Sequence, residues 1–223
     1  MAANLREALK ESELLNRGYQ RVEVCLDTPV MLIPLQEFSE DTVEMLYMRV
    51  FKSRKADVVL HNVLPDLNAV AVFSINKDLR TVVEDNFTDK RFSHVSQPVW
   101  SYLHARSHNG VQRKLYAYFH DNSVEVFSFD KNRFRFHNTF DAGYTRDSIY
   151  FIMYVWKQLA FDNNSDELFI CGNHNETEFL ITTLRKYLQR VFTINTSAEF
   201  NRAPITQIKG IPFDTQVLFI RGK

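Results

Sequence analysis

Two short stretches of the sequence combine residue types that could hold a nucleotide. Asp121 lies in an Asp-Asn turn between two strand-like runs, and Gly172-Asn173 follows a short apolar run. A carboxylate can hold Mg²⁺ beside phosphate groups, and a glycine lets a ligand lie close to the backbone. If a nucleotide binds, Asp121, Gly172 and Asn173 are the candidate cofactor-binding residues and Mg-ATP is the candidate cofactor, but the expectation is that no cofactor binds. An ordinary hairpin turn and a strand-to-helix turn explain the same residues with no cofactor.

The rest of the usual phosphate-binding chemistry is missing. The turn at Asp121 contains no glycine, and its acid stands in the turn instead of in the preceding strand. No Walker-type or dinucleotide-type glycine motif occurs among the six glycines of the chain. These absences argue against ATP hydrolysis, and the sequence predicts no catalytic residue.

Three other kinds of site are not predicted by the sequence. His104 and His108 have the i, i+4 spacing of a metal pair but no evident third ligand, so no metal site is predicted. A ribonuclease-H-type nuclease needs a carboxylate on its first strand, and the predicted first strand Lys114–Phe119 contains none. Glu125, on the second strand, is interpreted as a solvent-facing residue. No local serine or cysteine triad can be assembled.

A basic strand face, formed by Arg133, Arg135 and His137, could bind single-stranded RNA. However, 27 basic and 27 acidic residues give a net charge of zero, which argues against a nucleic-acid or anionic-membrane partner. A solvated outer face is the preferred interpretation.

Composition is that of a soluble globular protein in a reducing compartment. The chain has 223 residues and two cysteines, Cys25 and Cys171, which are interpreted as reduced core thiols. No apolar run approaches the roughly 18 residues of a membrane helix, and the N-terminus is charged where a signal peptide is apolar. We expect a cytoplasmic protein with no membrane partner.

Hydrophobic periodicity predicts an alternation of helices and strands. The predicted helices cover 4–16, with a capping box of Asn4 and Glu7, then residues 40–55, 77–86, the segment after Ser96, the segment after Thr145, and 176–190. The predicted strands cover 21–27, 30–35, 57–62, 69–75, 91–95, three consecutive antiparallel strands within 114–140, then 168–171, 191–194 and 216–221, with a loop over 195–214.

From Lys114 onward the order is three antiparallel strands, helix, strand, helix, strand. This is the order of a ribonuclease-H-like lobe, and two such lobes in tandem form the actin-like ATPase fold. The sequence therefore predicts an α/β protein with mixed sheets and two lobes. Residues 1–108 form a first lobe that lacks its leading strands and carries an inserted hairpin, and residues 109–223 form the second.

The amino-acid sequences of several segments resemble those of a bacterial family of unknown function, typical of Bacteroidetes. The resemblance covers nearly the whole chain and is carried by DTPVMLIPLQEF, VVLHNVLPDLNAVAVF, KLYAYFHDNSVEVFSF, ELFICGN and FNRAPI. It implies an actin-like ATPase fold and transfers no activity. Members of the family begin with a set of strands, so Met1 is expected to be an internal start or the start of a shortened copy.

The hydrophobic pattern of the fold is intact, but the turns that would bind phosphate lack the expected residues. The leading hypothesis is therefore a non-catalytic protein-interaction scaffold, a pseudo-ATPase. It would bind another protein or its own copy. The alternative is a divergent ATP-binding protein or ATPase with its site between the lobes. Binding of RNA at Arg133 and Arg135 ranks third.

Overall fold

The computed structural model describes residues 1–52, 57–131, 133–201 and 203–221. The chain forms two compact units, one of residues 1–65 and 69–95 and the other of residues 66–68 and 96–223. The division of the lobes between residues 108 and 109 stays a prediction. The compact units divide between Val95 and Ser96, so the helix after Ser96 belongs to the second unit.

The first unit contains three helices and two small sheets. Strands β1 and β5 pair in parallel, while β2 and β3 flank β4 in an antiparallel sheet. No strand precedes α1 in the described part of the chain. The elements are α1 (Ala2–Glu11), β1 (Val22–Leu26), β2 (Met31–Pro34), α2 (Glu40–Phe51), β3 (Asp57–Leu64), β4 (Ala69–Asn76), α3 (Lys77–Asn86) and β5 (Lys90–His94).

Central strand β4 is apolar at nearly every position because it is covered on both faces and paired on both edges. Helix α2 packs Val43 and Tyr47 against Val70 and Val72. The hydroxyl of Tyr47 donates to the carbonyl of Pro29 at 2.5 Å, which satisfies the polar end of this buried ring.

Two sequence predictions for the first unit are wrong in detail. Helix α1 begins at Ala2, with Met1 as its N-cap, so the capping box of Asn4 and Glu7 does not form. Cys25 is exposed and is not a core thiol.

The second unit is built on a five-stranded mixed sheet of order β10-β9-β6-β7-β8. Strands β6, β9 and β10 are parallel, and β7 and β8 continue the sheet as antiparallel hairpins. The elements are α4 (Gln97–Ser107), β6 (Lys114–His120), β7 (Ser123–Asp130), β8 (Arg133–Asp141), α5 (Thr145–Gln158), β9 (Glu167–Gly172), α6 (Thr177–Leu184), β10 (Val191–Thr193), α7 (Thr196–Glu199) and α8 (Phe213–Arg221).

The central strands β6, β7 and β9 of this sheet are buried on both faces. One face is aliphatic and packs against α5 and α6, with Leu115, Val126 and Ile152 fully buried in its core. The opposite face is aromatic: the ring of Tyr116 stacks on Phe127 with centroids 5.6 Å apart. Alternation along each strand places the two sets on opposite sides, as the pleat requires.

The C-terminal segment is a helix where the sequence predicted a loop and then a strand. Helix α8 buries Phe213 and Val217, an i, i+4 pair, and packs against α4. The hydroxyl of Tyr118 donates to the carboxylate of Asp214 at 2.6 Å. The run Gln216–Arg221 is short and apolar, so its pattern fits either element, and burial against α4 decides in favour of a helix.

Neither Cys25 nor Cys171 forms a disulfide within the described residues. Burial raises the pKa of the Cys171 thiol, which keeps it protonated. Across the same residues, every helix is too short or too polar to traverse a lipid bilayer.

Replacing Gly172 with alanine is expected to destabilise the second unit by about 3 kcal/mol or more. Gly172 has a φ of +85°, and a Cβ there would stand 2.0 Å from the carbonyl oxygen of Phe119. Urea denaturation followed by tryptophan fluorescence measures this, because Trp100 and Trp156 both lie in the second unit. The matched control is Gly143→Ala, since nothing lies within 4 Å of a Cβ at Gly143. Equal stabilities for the two variants would contradict the prediction.

Candidate functional site

Three turns of the second unit surround a polar cavity of about 480 Å³. The cavity lies where β6 and β9 end, the edge at which sheets with parallel strands commonly bind ligands. We call it the polar cavity. Its lining residues are Phe119, His120, Asp121, Asn122, Ser123, Ala142, Gly143, Tyr144, Thr145, Asn173, His174, Asn175 and Glu176.

The first turn joins β6 to β7 through Asp121 and Asn122. Both residues have positive φ angles, 41° and 61°, as the tight turn between twisted antiparallel strands requires. Asp and Asn tolerate this conformation better than other side chains, which explains why the turn needs no glycine. The carbonyl of Asn122 accepts from the backbone N–H of Ala142 at 2.8 Å and so ties this turn to the second one.

The second turn leads from β8 into α5, whose N-cap is Tyr144. Thr145 is the first helical residue, and its hydroxyl donates to the carboxylate of Glu176 in the third turn. Tyr144 itself is 77% exposed at the cavity rim. The second and third turns are therefore held together by one buried hydroxyl.

The third turn leads from β9 into α6. The backbone carbonyl of His174 accepts a hydrogen bond from the hydroxyl of Thr177 at 2.6 Å. The ring nitrogen Nδ1 of His174 accepts a hydrogen bond from the backbone N–H of Glu176 at 3.1 Å. Burial lowers the pKa of His174, and the charge of Glu176 opposes this shift. The ring is therefore neutral near pH 7, with its proton on Nε2.

The polar cavity is acidic. Asp121 and Glu176 contribute carboxylates, and none of the described residues that line it is a lysine or an arginine. Its remaining polar groups are carboxamides, hydroxyls and imidazoles. Such a lining can exchange hydrogen bonds with a neutral ligand or hold a cation, and it offers no fixed positive charge to phosphate.

The structure brings two of the three sequence-predicted site residues to this cavity. Asp121 and Asn173 line it from different turns. Gly172 does not line it: its backbone packs on Phe119, and a side chain there would collide with that residue. The sequence did not assign Tyr144, His174 and Glu176 to a site, because they are isolated polar residues that only the fold brings together.

Beside the polar cavity, the buried carboxylate of Glu125 is the centre of a hydrogen-bonded group that we call the Glu125 cluster. Its oxygens accept from the Ser96 hydroxyl and, at 2.9 Å, from Trp100 Nε1. The Nε2 atoms of His120 and His137 lie 3.2 and 3.4 Å from the same carboxylate. His120 also lines the cavity, so it connects the two features.

The interpretation of Glu125 as solvent-facing is wrong, since its side chain is 1% exposed. His137, assigned to a solvated basic face, has a side chain that is 5% exposed and faces the same carboxylate. Helix α4 supplies Ser96 and Trp100 to this face of the sheet and so buries it. Arg133 and Arg135 remain exposed.

His104 and His108 have ring centroids 4.8 Å apart. Nε2 of His104 lies 3.0 Å from the carbonyl oxygen of Lys131, a distance at which the ring donates a hydrogen bond. That bond directs the buried ring of His104 toward the backbone. The i, i+4 spacing of His104 and His108 therefore places two packed rings at the end of α4.

A second depression, about 660 Å³, follows the outer face of α5. We call it the tyrosine groove, because Tyr150, Tyr154 and Tyr187 line it and are 63%, 48% and 58% exposed. Lys157 is its charged residue, and no described residue of its lining is acidic. Exposed aromatic rings of this kind are enriched at protein interfaces.

Comparisons with known proteins agree with this architecture. A family model described as "Protein of unknown function (DUF3822)" matches residues 1–191. A Bacteroides thetaiotaomicron VPI-5482 protein described as having an actin-like ATPase fold and unknown function is 29% identical, with a TM-score of 0.83 over 93% of this chain and 81% of that chain. No curated protein matches significantly.

The PilM-PilN type IV pilus biogenesis complex also matches, with 13% identity and a TM-score of 0.56 over 99% of this chain and 84% of that chain. At this identity the likeness concerns the fold alone. The actin-like ATPase fold expected from the order of elements is confirmed, as is the resemblance to a family of unknown function.

Removing the Glu125 carboxylate is expected to destabilise the second unit by about 3 kcal/mol or more, because the buried donors of Ser96 and Trp100 lose their acceptor. The test compares Glu125→Ala with Glu178→Ala, an exposed glutamate on α6, in urea denaturation followed by circular dichroism. The control should change by no more than about 0.5 kcal/mol. A similarly small change for Glu125→Ala would show that the cluster contributes little.

Proposed function

This chain belongs to the DUF3822 family, and from that premise we propose that it is a non-catalytic protein-interaction module on an actin-like ATPase scaffold. The observation that carries the proposal is the acidic polar cavity. It occupies the strand ends where a ligand of this fold is expected, and Asp121 and Glu176 face it without a lysine or arginine among its described lining.

Charge is the first argument against a nucleoside triphosphate. Proteins bind phosphates with arginine, lysine, metal ions or converging backbone N–H groups. Here a phosphate would approach two carboxylates, and like charges repel. Because Glu176 already accepts from Thr145, it is fixed in this position.

The backbone is the second argument. Glycines in a phosphate-binding turn let backbone N–H groups approach the ligand closely. The turn between β6 and β7 instead carries the side chains of Asp121 and Asn122. Gly172 is explained by its close approach to Phe119. The residues that could have formed a nucleotide site are therefore accounted for by the geometry of the sheet.

A second candidate function, Mg-ATP binding, is favoured by one observation. Asp121 and Asn173 line the same cavity, whose volume of about 480 Å³ suits a small molecule. Asp121 could hold Mg²⁺, and the metal would offset part of the phosphate charge. This remains the alternative to the scaffold proposal.

The tyrosine groove is the surface we assign to a partner. Tyr150, Tyr154 and Tyr187 offer large, rigid contact area, and Lys157 is the charged residue of the lining. An amphipathic helix with an acidic residue beside its apolar face complements both the aromatic surface of this lining and its positive charge. One protein of this fold, PilM, is described in a complex with PilN, so the fold is compatible with such a role.

The setting that fits this proposal is the bacterial cytoplasm. The lack of a bilayer-crossing helix among the described residues is compatible with it. The buried, protonated thiol of Cys171 is compatible with a reducing compartment.

Titration calorimetry with Mg-ATP is expected to give no saturable heat up to about 1 mM, because the cavity lacks a fixed cation. The same titration on Asp121→Lys tests the charge argument, since it places a cation in the cavity and is expected to raise any affinity. Micromolar binding of Mg-ATP to the unaltered chain, lost in Asp121→Ala, would replace the scaffold proposal by the ATP-binding alternative.

A photo-crosslinking amino acid at Tyr154 is expected to crosslink an acidic amphipathic helix of one partner in cells of the source organism. Tyr19 is a matched control, because it is also 48% exposed but lies outside the groove. Mass spectrometry of the crosslinked peptides identifies the contacted segment. Equal yields at both positions, or adducts with a second copy of this chain, would contradict the assigned partner.

A further inference from the structure

The lining of the polar cavity suits an uncharged ligand rich in hydroxyl groups. We propose that this cavity binds a neutral small molecule with neighbouring hydroxyls, the chemistry shared by monosaccharides and by the ribose of nucleosides. The proposal concerns a ligand of the second unit alone and is independent of the tyrosine groove.

Acceptors come from two turns that the fold brings together. The carboxylate of Asp121 can accept hydrogen bonds from two adjacent hydroxyls, and the carboxamide of Asn173 can both accept and donate. Both side chains are exposed to the cavity solvent. A pair of this kind selects ligands that offer several O–H groups.

A donor comes from His174. Because its Nδ1 accepts from the N–H of Glu176, the neutral ring carries its proton on Nε2. Burial lowers the pKa of this ring, so it stays a neutral donor near pH 7. The cavity thus offers donors without a net positive charge, which suits hydroxyl oxygens better than phosphate.

Ring surfaces complete the lining. The His174 ring contacts Phe119 edge-on, with centroids 4.8 Å apart, which fixes its orientation. At the rim Tyr144 presents a ring that is 77% exposed. Such rings can cover the apolar face of a sugar or the plane of a base. A volume of about 480 Å³ suits ligands of this size.

The experiment is a saturation-transfer NMR and calorimetry panel of adenosine, D-ribose, D-glucose and D-galactose, with ATP lacking Mg²⁺ as the anionic comparison. At least one neutral compound is expected to bind with a Kd below about 10 mM, and ATP at least about tenfold more weakly than adenosine. Binding of adenosine alone assigns a nucleoside, and binding of free sugars assigns a saccharide.

Asp121→Ala and Asn173→Ala are each expected to weaken that binding by about tenfold or more. The matched control is Asp130→Ala, an exposed aspartate at the far end of β7, which should leave it unchanged. Absence of binding across the panel, binding unaffected by the cavity variants, or tighter binding of ATP than of adenosine would overturn the inference. If neither adenosine nor a sugar binds, the interaction-module proposal still stands. Micromolar Mg-ATP binding in the separate calorimetric titration would contradict both proposals.

Discussion

The packing of α4 on the sheet of the second unit depends on the buried carboxyl group of Glu125. Ser96 and Trp100 reach it from α4, and His120 and His137 reach it from the neighbouring strands. A buried carboxylate is tolerated only where its oxygens are hydrogen-bonded. These contacts therefore fix α4 on the aromatic face of the sheet and fix His120 at the edge of the polar cavity.

The rest of the site follows from that arrangement. Once β6 ends at His120, the tight turn at Asp121 must use positive φ angles, and β9 must end in a glycine to pass Phe119. The strand ends, the acid and the glycine that resemble nucleotide-binding parts are thus required by the sheet itself. What remains open to solvent is an acidic cavity with neutral donors, bordered by Tyr144.

The sequence could predict the local elements of this fold. Alternation along Lys114–Phe140 and the Asp121-Asn122 turn correctly indicated three antiparallel strands. It could not predict what covers each face. Glu125 shares a face with Phe127, which was a signal of burial, but only the packing of α4 makes that face interior. The strand predicted for Gln216–Arg221 is wrong for a similar reason, because the secondary structure of a short apolar segment depends on what it packs against.

We propose that the polar cavity does not hold the phosphates of a nucleotide. Amide chemical-shift mapping during a titration with Mg-ATP tests this most directly, because it reports on each turn separately. Up to about 1 mM Mg-ATP, we expect no saturable shifts in residues 119–123, 142–145 and 173–176. Saturable shifts in these three turns, with slowed exchange at Asp121 and Asn173, would contradict it.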